Sequence, residues 1–249
     1  MTLELNRSEP YTGIAEIYDY MLRHVDYEQW YQFIRSIMLL YAKNPVTVLE
    51  LGCGTGKFGA KFSSDNYQIL GIDRSLSMLL VAKSRAFRNF KIICADIKNF
   101  YLKKNFDFIF SVHDTMNYQL ADNEIKDILK SVKNAMHSDS IFMFDITTEY
   151  NVEKHFNNKT SSYKSRGMSV EWANKYDKKK KYVISSFKIR HANGRAYNEE
   201  HIQRIYSQDE IKSLLESEGF EILHICSDYT YNAPSADTIM INFITKKRD

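Results

Sequence analysis

Three groups of residues in this chain have the types and spacing to do chemistry. Gly52, Gly54 and Gly56 alternate with Cys53 and Thr55 directly after the apolar run Val48-Leu49-Glu50-Leu51. Such a run reads as a buried strand entering a turn, and glycine lets the turn adopt positive φ and bring bare backbone groups against a ligand. Asp73 closes the run Leu70-Gly71-Ile72, and Asp96 follows Cys94-Ala95. The third group is His113 and Tyr118, after the apolar run Phe108-Ile109-Phe110, together with His201 in Glu199-Glu200-His201-Ile202-Gln203-Arg204. A neutral imidazole can accept a proton near physiological pH. A nucleotide-type cofactor is therefore the first expectation, with an acceptor beside it.

The glycine turn alone admits two cofactors. Gly54-Thr55-Gly56-Lys57-Phe58-Gly59 satisfies the G-x-G-x-x-G dinucleotide spacing, and Asp73 stands at the ribose-binding distance of about 20 residues. A nicotinamide oxidoreductase and a methyltransferase both use an acid there, so other residues must decide.

Those residues are Glu50-Leu51-Gly52-Cys53-Gly54-Thr55-Gly56, Leu70-Gly71-Ile72-Asp73, Cys94-Ala95-Asp96-Ile97 and Phe106-Asp107-Phe108-Ile109-Phe110, in that order. Together they resemble the class I S-adenosylmethionine-dependent methyltransferases over roughly residues 45–146. The resemblance implies S-adenosylmethionine as cofactor, S-adenosylhomocysteine as product and no metal. It implies that Gly52, Gly54 and Gly56 pack on the methionine portion and ribose, that Asp73 holds the ribose hydroxyls, and that Asp96 and the Ile97 amide bind the adenine edge. Glu50 would order the glycine loop. Tyr18, Cys53, Arg74, Met78 and Ser111 complete the implied cofactor set, although Tyr18 and Met78 fit a core role equally well. On the acceptor side, His113 is a candidate base or a loop-orienting histidine, and Tyr118 is a candidate pocket wall. His201 lies on a strand that exposes either the face with Gln203 and Ile205 or the face with Ile202, Arg204 and Tyr206; a solvent-facing edge strand competes with a catalytic role.

The elements needed to position these groups follow from periodicity. Helical spacing begins at Ala15, and a second helix carries Trp30, Phe33, Ile34, Ile37 and Met38 on one face. Order is expected from near Tyr11. Parallel strands are predicted at 46–51, 67–72, 90–94, 106–112 and 141–146. Ser75 is a predicted N-cap, and Ile125, Ile128, Leu129, Val132 and Met136 mark a helix. From about 163 to 205 short β-type runs and the turn signal Asn193-Gly194 predict an inserted antiparallel sheet, with Lys178 to Lys181 at a solvated tip. Ser207 and Glu210 fit a capping box before a helix that Gly219 ends, and two strands close the chain. The expected fold is α/β: a Rossmann-like sheet of seven strands with helices on both faces, plus the inserted sheet. The expected divisions are 1–44 as N-terminal cap helices, 45–150 as the cofactor-binding core, 151–206 as the insertion, and 207–249 completing the core.

Composition narrows the function classes. The 249 residues carry 34 basic and 31 acidic side chains, a net charge of +3 that gives no case for nucleic-acid or membrane attraction. The three cysteines form no C-x-x-C pair, so neither a disulfide framework nor a zinc site is supported. No apolar run approaches the roughly 18 residues of a membrane span. The reading is a cytoplasmic monomer or homodimer that methylates a small molecule, nitrogen ahead of oxygen. A non-catalytic S-adenosylmethionine-binding protein and a nicotinamide oxidoreductase are the alternatives.

Overall fold

The structure, a computed structural model, describes residues 6–248. Seven strands form one sheet: β2 (Thr47–Leu51), β3 (Gln68–Asp73), β4 (Phe90–Cys94), β5 (Phe106–Ser111), β6 (Met136–Thr147), β11 (Phe220–Ser227) and β12 (Met240–Lys247). Their order is β11-β12-β6-β5-β2-β3-β4. β2 to β6 run parallel, while β12 lies antiparallel to both β6 and β11. The expected seven-stranded α/β architecture is what the chain adopts. The order reverses beside β2 and β5, and in open α/β sheets the carboxyl ends at such a reversal form a binding crevice.

The sheet is covered on both faces, which explains the nearly unbroken apolar strands. On one face α5 (Asp122–Asn134) and α7 (Gln208–Ser217) bury Ile125, Leu129, Val132, Ile211 and Leu215 against Phe142, Phe144 and Phe243. On the other, α2 (Tyr27–Tyr41) and α3 (Lys57–Ser64) bury Ile34, Ile37, Phe58 and Phe62 against Phe108, Phe110 and Met143. Each such side chain contributes roughly 1.5–3 kcal/mol when fully buried. Local chemistry sets the helix starts: Asp26 accepts from the Glu28 and Gln29 amides before α2, and Ser75 accepts from the Met78 amide before α4 (Leu76–Ala82). Ser207 and Glu210 exchange both capping-box hydrogen bonds ahead of α7.

A second sheet contains β1 (Asn6–Ser8), β7 (Thr160–Ser165), β8 (Met168–Asp177), β9 (Tyr182–His191) and β10 (Ala196–Arg204), in the order β1-β10-β9-β8-β7. The four later strands pair antiparallel, with the lysine tip between β8 and β9, as expected. β1 adds in parallel to β10. A frayed segment up to residue 10 was the expectation; residues 6–8 are instead in a strand, because Glu199 on β10 gathers Ser8 Oγ and the Tyr11 and Gly13 amides. Residues 1–5 of that segment lie outside the described residues. The helix expected from Ala15 is only the single turn α1 (Tyr18–Met21). Its apolar residues Ile14, Ile17 and Met21 pack on Met168, Val170, Phe187 and Ile189 of the second sheet, so burial there needs no long helix. Met136, expected on α5, opens β6. A short helix α6 (Glu149–Asn151) and a π-helical turn (Val152–Phe156) lead from the first sheet to the second.

Candidate active site

The glycine turn sits at the carboxyl end of β2. The Gly52 and Cys53 amides both donate to the Ile72 carbonyl, at 2.8 and 3.0 Å, fastening the turn to β3. The Gly54 amide donates to Asp73 Oδ2 at 2.8 Å and the Ser75 amide to Asp73 Oδ1 at 2.8 Å. A carboxylate has about four acceptor positions, so Asp73 keeps capacity for a ligand after ordering the turn. Burial pushes its pKa up, and the two amides pull against that.

A cavity of about 410 Å³ opens above this turn. Gly52, Cys53, Gly54, Asp73, Arg74, Met78, Asp96 and Ile97, eight of the expected cofactor residues, line it together. Three other expected cofactor residues are not at its wall. Gly56 is in the left-handed region at φ 76° and faces Phe90, whose ring a Cβ would meet at 2.9 Å. Its role is to start α3 against β4. Glu50 is buried in β2, with Oε2 unpartnered and burial pushing its carboxyl well up. Ser111 is fully buried and donates to the Leu51 carbonyl at 3.1 Å, beneath the turn. All three organise the strand ends from behind.

A second cavity of about 540 Å³ lies between the two sheets, and it shares Tyr11, Tyr18, His113 and Tyr118 with the first. At this junction His113 and Asp114 are consecutive left-handed residues, φ 64° and 52°. Non-glycine residues occupy that region at a cost, so their surroundings must hold them there. Asp145 on β6 does so: its Oδ2 accepts from the His113 amide at 2.8 Å and its Oδ1 from the Asp114 amide at 2.7 Å. The Tyr229 hydroxyl also donates to Asp145. Burial raises the Asp145 pKa to about 6 despite these donors.

The His113 ring lies 4.8 Å from the Trp30 ring, and its Nε2 is 3.1 Å from the Tyr27 hydroxyl. Burial, reinforced by Lys57 and His24, lowers its pKa to about 4, so the imidazole is neutral at pH 7. The Tyr118 hydroxyl is 2.6 Å from that of Tyr11 and 2.9 Å from His201 Nδ1, while His201 Nε2 is 3.3 Å from Glu199 Oε2. His201 is buried, and β10 is flanked by β9 and β1, so the solvent-facing edge strand is excluded. The face that carries Gln203 looks into the second cavity beside His201, and Ile202 reaches the first.

Sequence reasoning missed Tyr11, Asp114, Asp145, Glu199 and the tryptophans as site residues. Glu199 had one signal, its period-two relation to His201. Tyr11 had none, because its position depends on a left-handed residue in a short segment crossing from β1 to the glycine turn. Asp19 clamps that segment down: it accepts from Thr55 Oγ1 at 2.7 Å and from the Arg85 guanidinium at 2.7 Å, while Arg85 also donates to the Thr55 carbonyl at 2.8 Å.

The first cavity fits an adenosine-type group bearing an aminoacyl arm. It offers carboxylates at the ends of two adjacent strands, the apolar Met78 and Ile97 between them, and a turn where a Gly54 Cβ would crowd Met78 Cε at 3.2 Å. It fits a dinucleotide poorly, since Gly56, the second glycine of the G-x-G-x-x-G run and the one that would let the backbone approach a pyrophosphate, faces Phe90 instead of the cavity.

Comparison with known proteins agrees. Residues 48–139 match the family model described as a methyltransferase domain. The chain is 26% identical over 245 residues to YqeM of Bacillus subtilis, provisionally named a methyltransferase, covering 95% of this chain and 97% of the relative. A solved S-adenosylmethionine-dependent methyltransferase from Clostridium acetobutylicum superposes with a TM-score of 0.81 at 26% identity, over 96% of this chain and 99% of that one. The sugar N-methyltransferase KedS8 of Streptoalloteichus shares the fold, with a TM-score of 0.76 at 15% identity over 94% and 93% of the two chains. The protein is an S-adenosylmethionine-dependent methyltransferase of the class I fold. Among the described residues no cluster of His, Cys, Asp and Glu could hold a metal ion, and no helix is long and apolar enough to cross a membrane.

Proposed function

We propose that the protein methylates a small molecule held in the second cavity, on nitrogen in preference to oxygen. The supporting observation is the junction: the two cavities meet at Tyr11, Tyr18, His113 and Tyr118, so a donor in one and an acceptor in the other would face each other across aromatic walls. Bound S-adenosylmethionine supplies an electrophilic methyl group whose sulfur departs with the bonding electron pair. In this reading Asp73 holds the ribose hydroxyls, Asp96 and the Ile97 amide hold the adenine edge, and Gly52, Cys53 and Gly54 pack on the remainder. Arg74, Met78 and Tyr18 close the walls.

The acceptor side must align a lone pair, exclude water and remove a proton. His113 would accept a hydrogen bond as a neutral imidazole; its low pKa suits it to orient an acceptor better than to store a proton. Burial raises the Tyr11 and Tyr118 pKa values well above the usual phenol range, keeping both hydroxyls protonated. Tyr118, His201 and Glu199 then provide a buried hydrogen-bonded route for a proton leaving the acceptor. A cavity between two sheets suits a small molecule better than a nucleic acid, and nothing in this reading requires a second subunit or a membrane.

The experiment is a screen in which purified protein, S-adenosylmethionine and a panel of amines and alcohols are assayed for methylated product by mass spectrometry. Methylated amine with matching S-adenosylhomocysteine supports the reading. Product only from alcohols would overturn the nitrogen preference, and no product from either class would overturn the small-molecule reading.

A further inference from the structure

The second cavity has a chemical polarity that goes beyond its size. Its walls are largely aromatic: Tyr11, Tyr18, Trp30, Tyr118, Trp172 and Phe187 come from the N-terminal segment, the loop after β5 and the second sheet. Among its described lining residues Asp114 is the one carboxylate. The other titratable groups facing the cavity besides the tyrosines are His113 and His201, near Asp114, and His24, His155 and Lys159, which are exposed and mark where the cavity meets solvent.

We infer that this cavity recognises its acceptor as a protonated amine carried on an apolar ring body, with the Asp114 carboxylate as the counter-ion. The inference rests on the methyl-transfer reading above and specifies what its acceptor site selects.

Asp114 has no Lys or Arg partner among the described ion pairs, and the neighbouring Gln203 Nε2 donates at 3.4 Å to its backbone carbonyl. A half-buried carboxylate without a cation is costly to keep ionised. Burial and the nearby Asp145 accordingly push the Asp114 pKa up to about 7, against the pull of the Gln203 amide. An ammonium group relieves that cost directly, and the surrounding ring faces attract a cation further. An alcohol of the same shape leaves the carboxylate unpaired, and an anionic acceptor is repelled. The Asp145 clamp on the His113 and Asp114 amides fixes the carboxylate beside the junction of the two cavities.

The protein provides its own reporter, since its 2 tryptophans, Trp30 and Trp172, both line this cavity. The test is a tryptophan-fluorescence titration of protein saturated with S-adenosylhomocysteine, using 2-phenylethylamine, 2-phenylethanol and 3-phenylpropionate. The amine should bind at least about tenfold more tightly than the alcohol, with the carboxylate weakest. In Asp114→Asn the amine's advantage should fall to within about twofold, while calorimetric affinity for S-adenosylhomocysteine stays unchanged. The inference is overturned if wild-type protein binds the alcohol or the carboxylate as tightly as the amine, if none of the three binds, or if Asp114→Asn keeps the preference. Should Asp114→Asn lose S-adenosylhomocysteine as well, the wild-type amine-to-alcohol ratio decides alone. Wild-type protein that binds no S-adenosylhomocysteine would instead overturn the methyl-transfer reading beneath it.

Discussion

The two cavities solve different binding problems with different materials. The first has its floor in backbone and carboxylates at neighbouring ends of the parallel strands, with Tyr11, Tyr18, Tyr27 and Ile202 reaching over it from the N-terminal segment, α2 and β10. Its polar groups satisfy one another before any ligand arrives, as Asp73 does with the Gly54 and Ser75 amides. The second is walled by aromatic rings from segments far apart in the chain, and its one carboxylate, Asp114, has no cationic protein partner among the described residues. A self-satisfied polar site is suited to a constant ligand. An aromatic site with one unpaired charge leaves selectivity to the ligand that completes it.

This contrast is most severely strained by removing Asp145, the group that holds the junction. Asp145→Ala strands the His113 and Asp114 amides and the Tyr229 hydroxyl, and should cost roughly 3 kcal/mol of stability in urea unfolding. A loss too small to measure would mean that the left-handed pair holds itself. Gly56→Ala should come next, at about 2 kcal/mol, because the left-handed backbone and the Phe90 ring both resist a Cβ. If Gly56 acts from behind the wall, S-adenosylhomocysteine affinity of the folded variant should be unchanged; a large drop would return Gly56 to the cavity.

The smallest effect is a pH dependence. Asp114 has a folded pKa raised to about 7, so its proton stabilises the fold below the ordinary carboxylate range, and that stability is lost as pH rises through about 7. Between about pH 6 and about pH 8 the wild type should lose about 1.4 kcal/mol on this account, and Asp114→Asn should lose less. Equal slopes would place the titration elsewhere. His113 acts with the opposite sign in a lower window: its folded pKa of about 4 lies below the ordinary 6.5, so its contribution is lost as pH falls from about 6.5 toward 4.

The same contrast explains what could be read from the chain. Gly52, Gly54, Asp73 and Asp96 are legible because the first cavity is made of local strand-turn units whose spacing is short and regular. Gly56, Glu50 and Ser111 share those motifs but turn away from the cavity, since a motif records position along a strand end and not which side faces the ligand. The second sheet was legible as β structure from its alternation and Asn193-Gly194 turn. Its cavity was not, because Tyr11, Asp114 and Trp172 meet only through the packing of the N-terminal segment against β8 and β9. Tyr229 came from a loop that pattern alone could not place; its ring stacks on Trp30 at 3.9 Å.

The division of labour between the cavities is tested most directly by calorimetric titration of S-adenosylhomocysteine into wild type, Asp73→Ala and Asp114→Asn. The account predicts that Asp73→Ala loses roughly 1.5–3 kcal/mol of binding free energy while Asp114→Asn matches wild type. Equal losses in both variants, or none in Asp73→Ala, would contradict it.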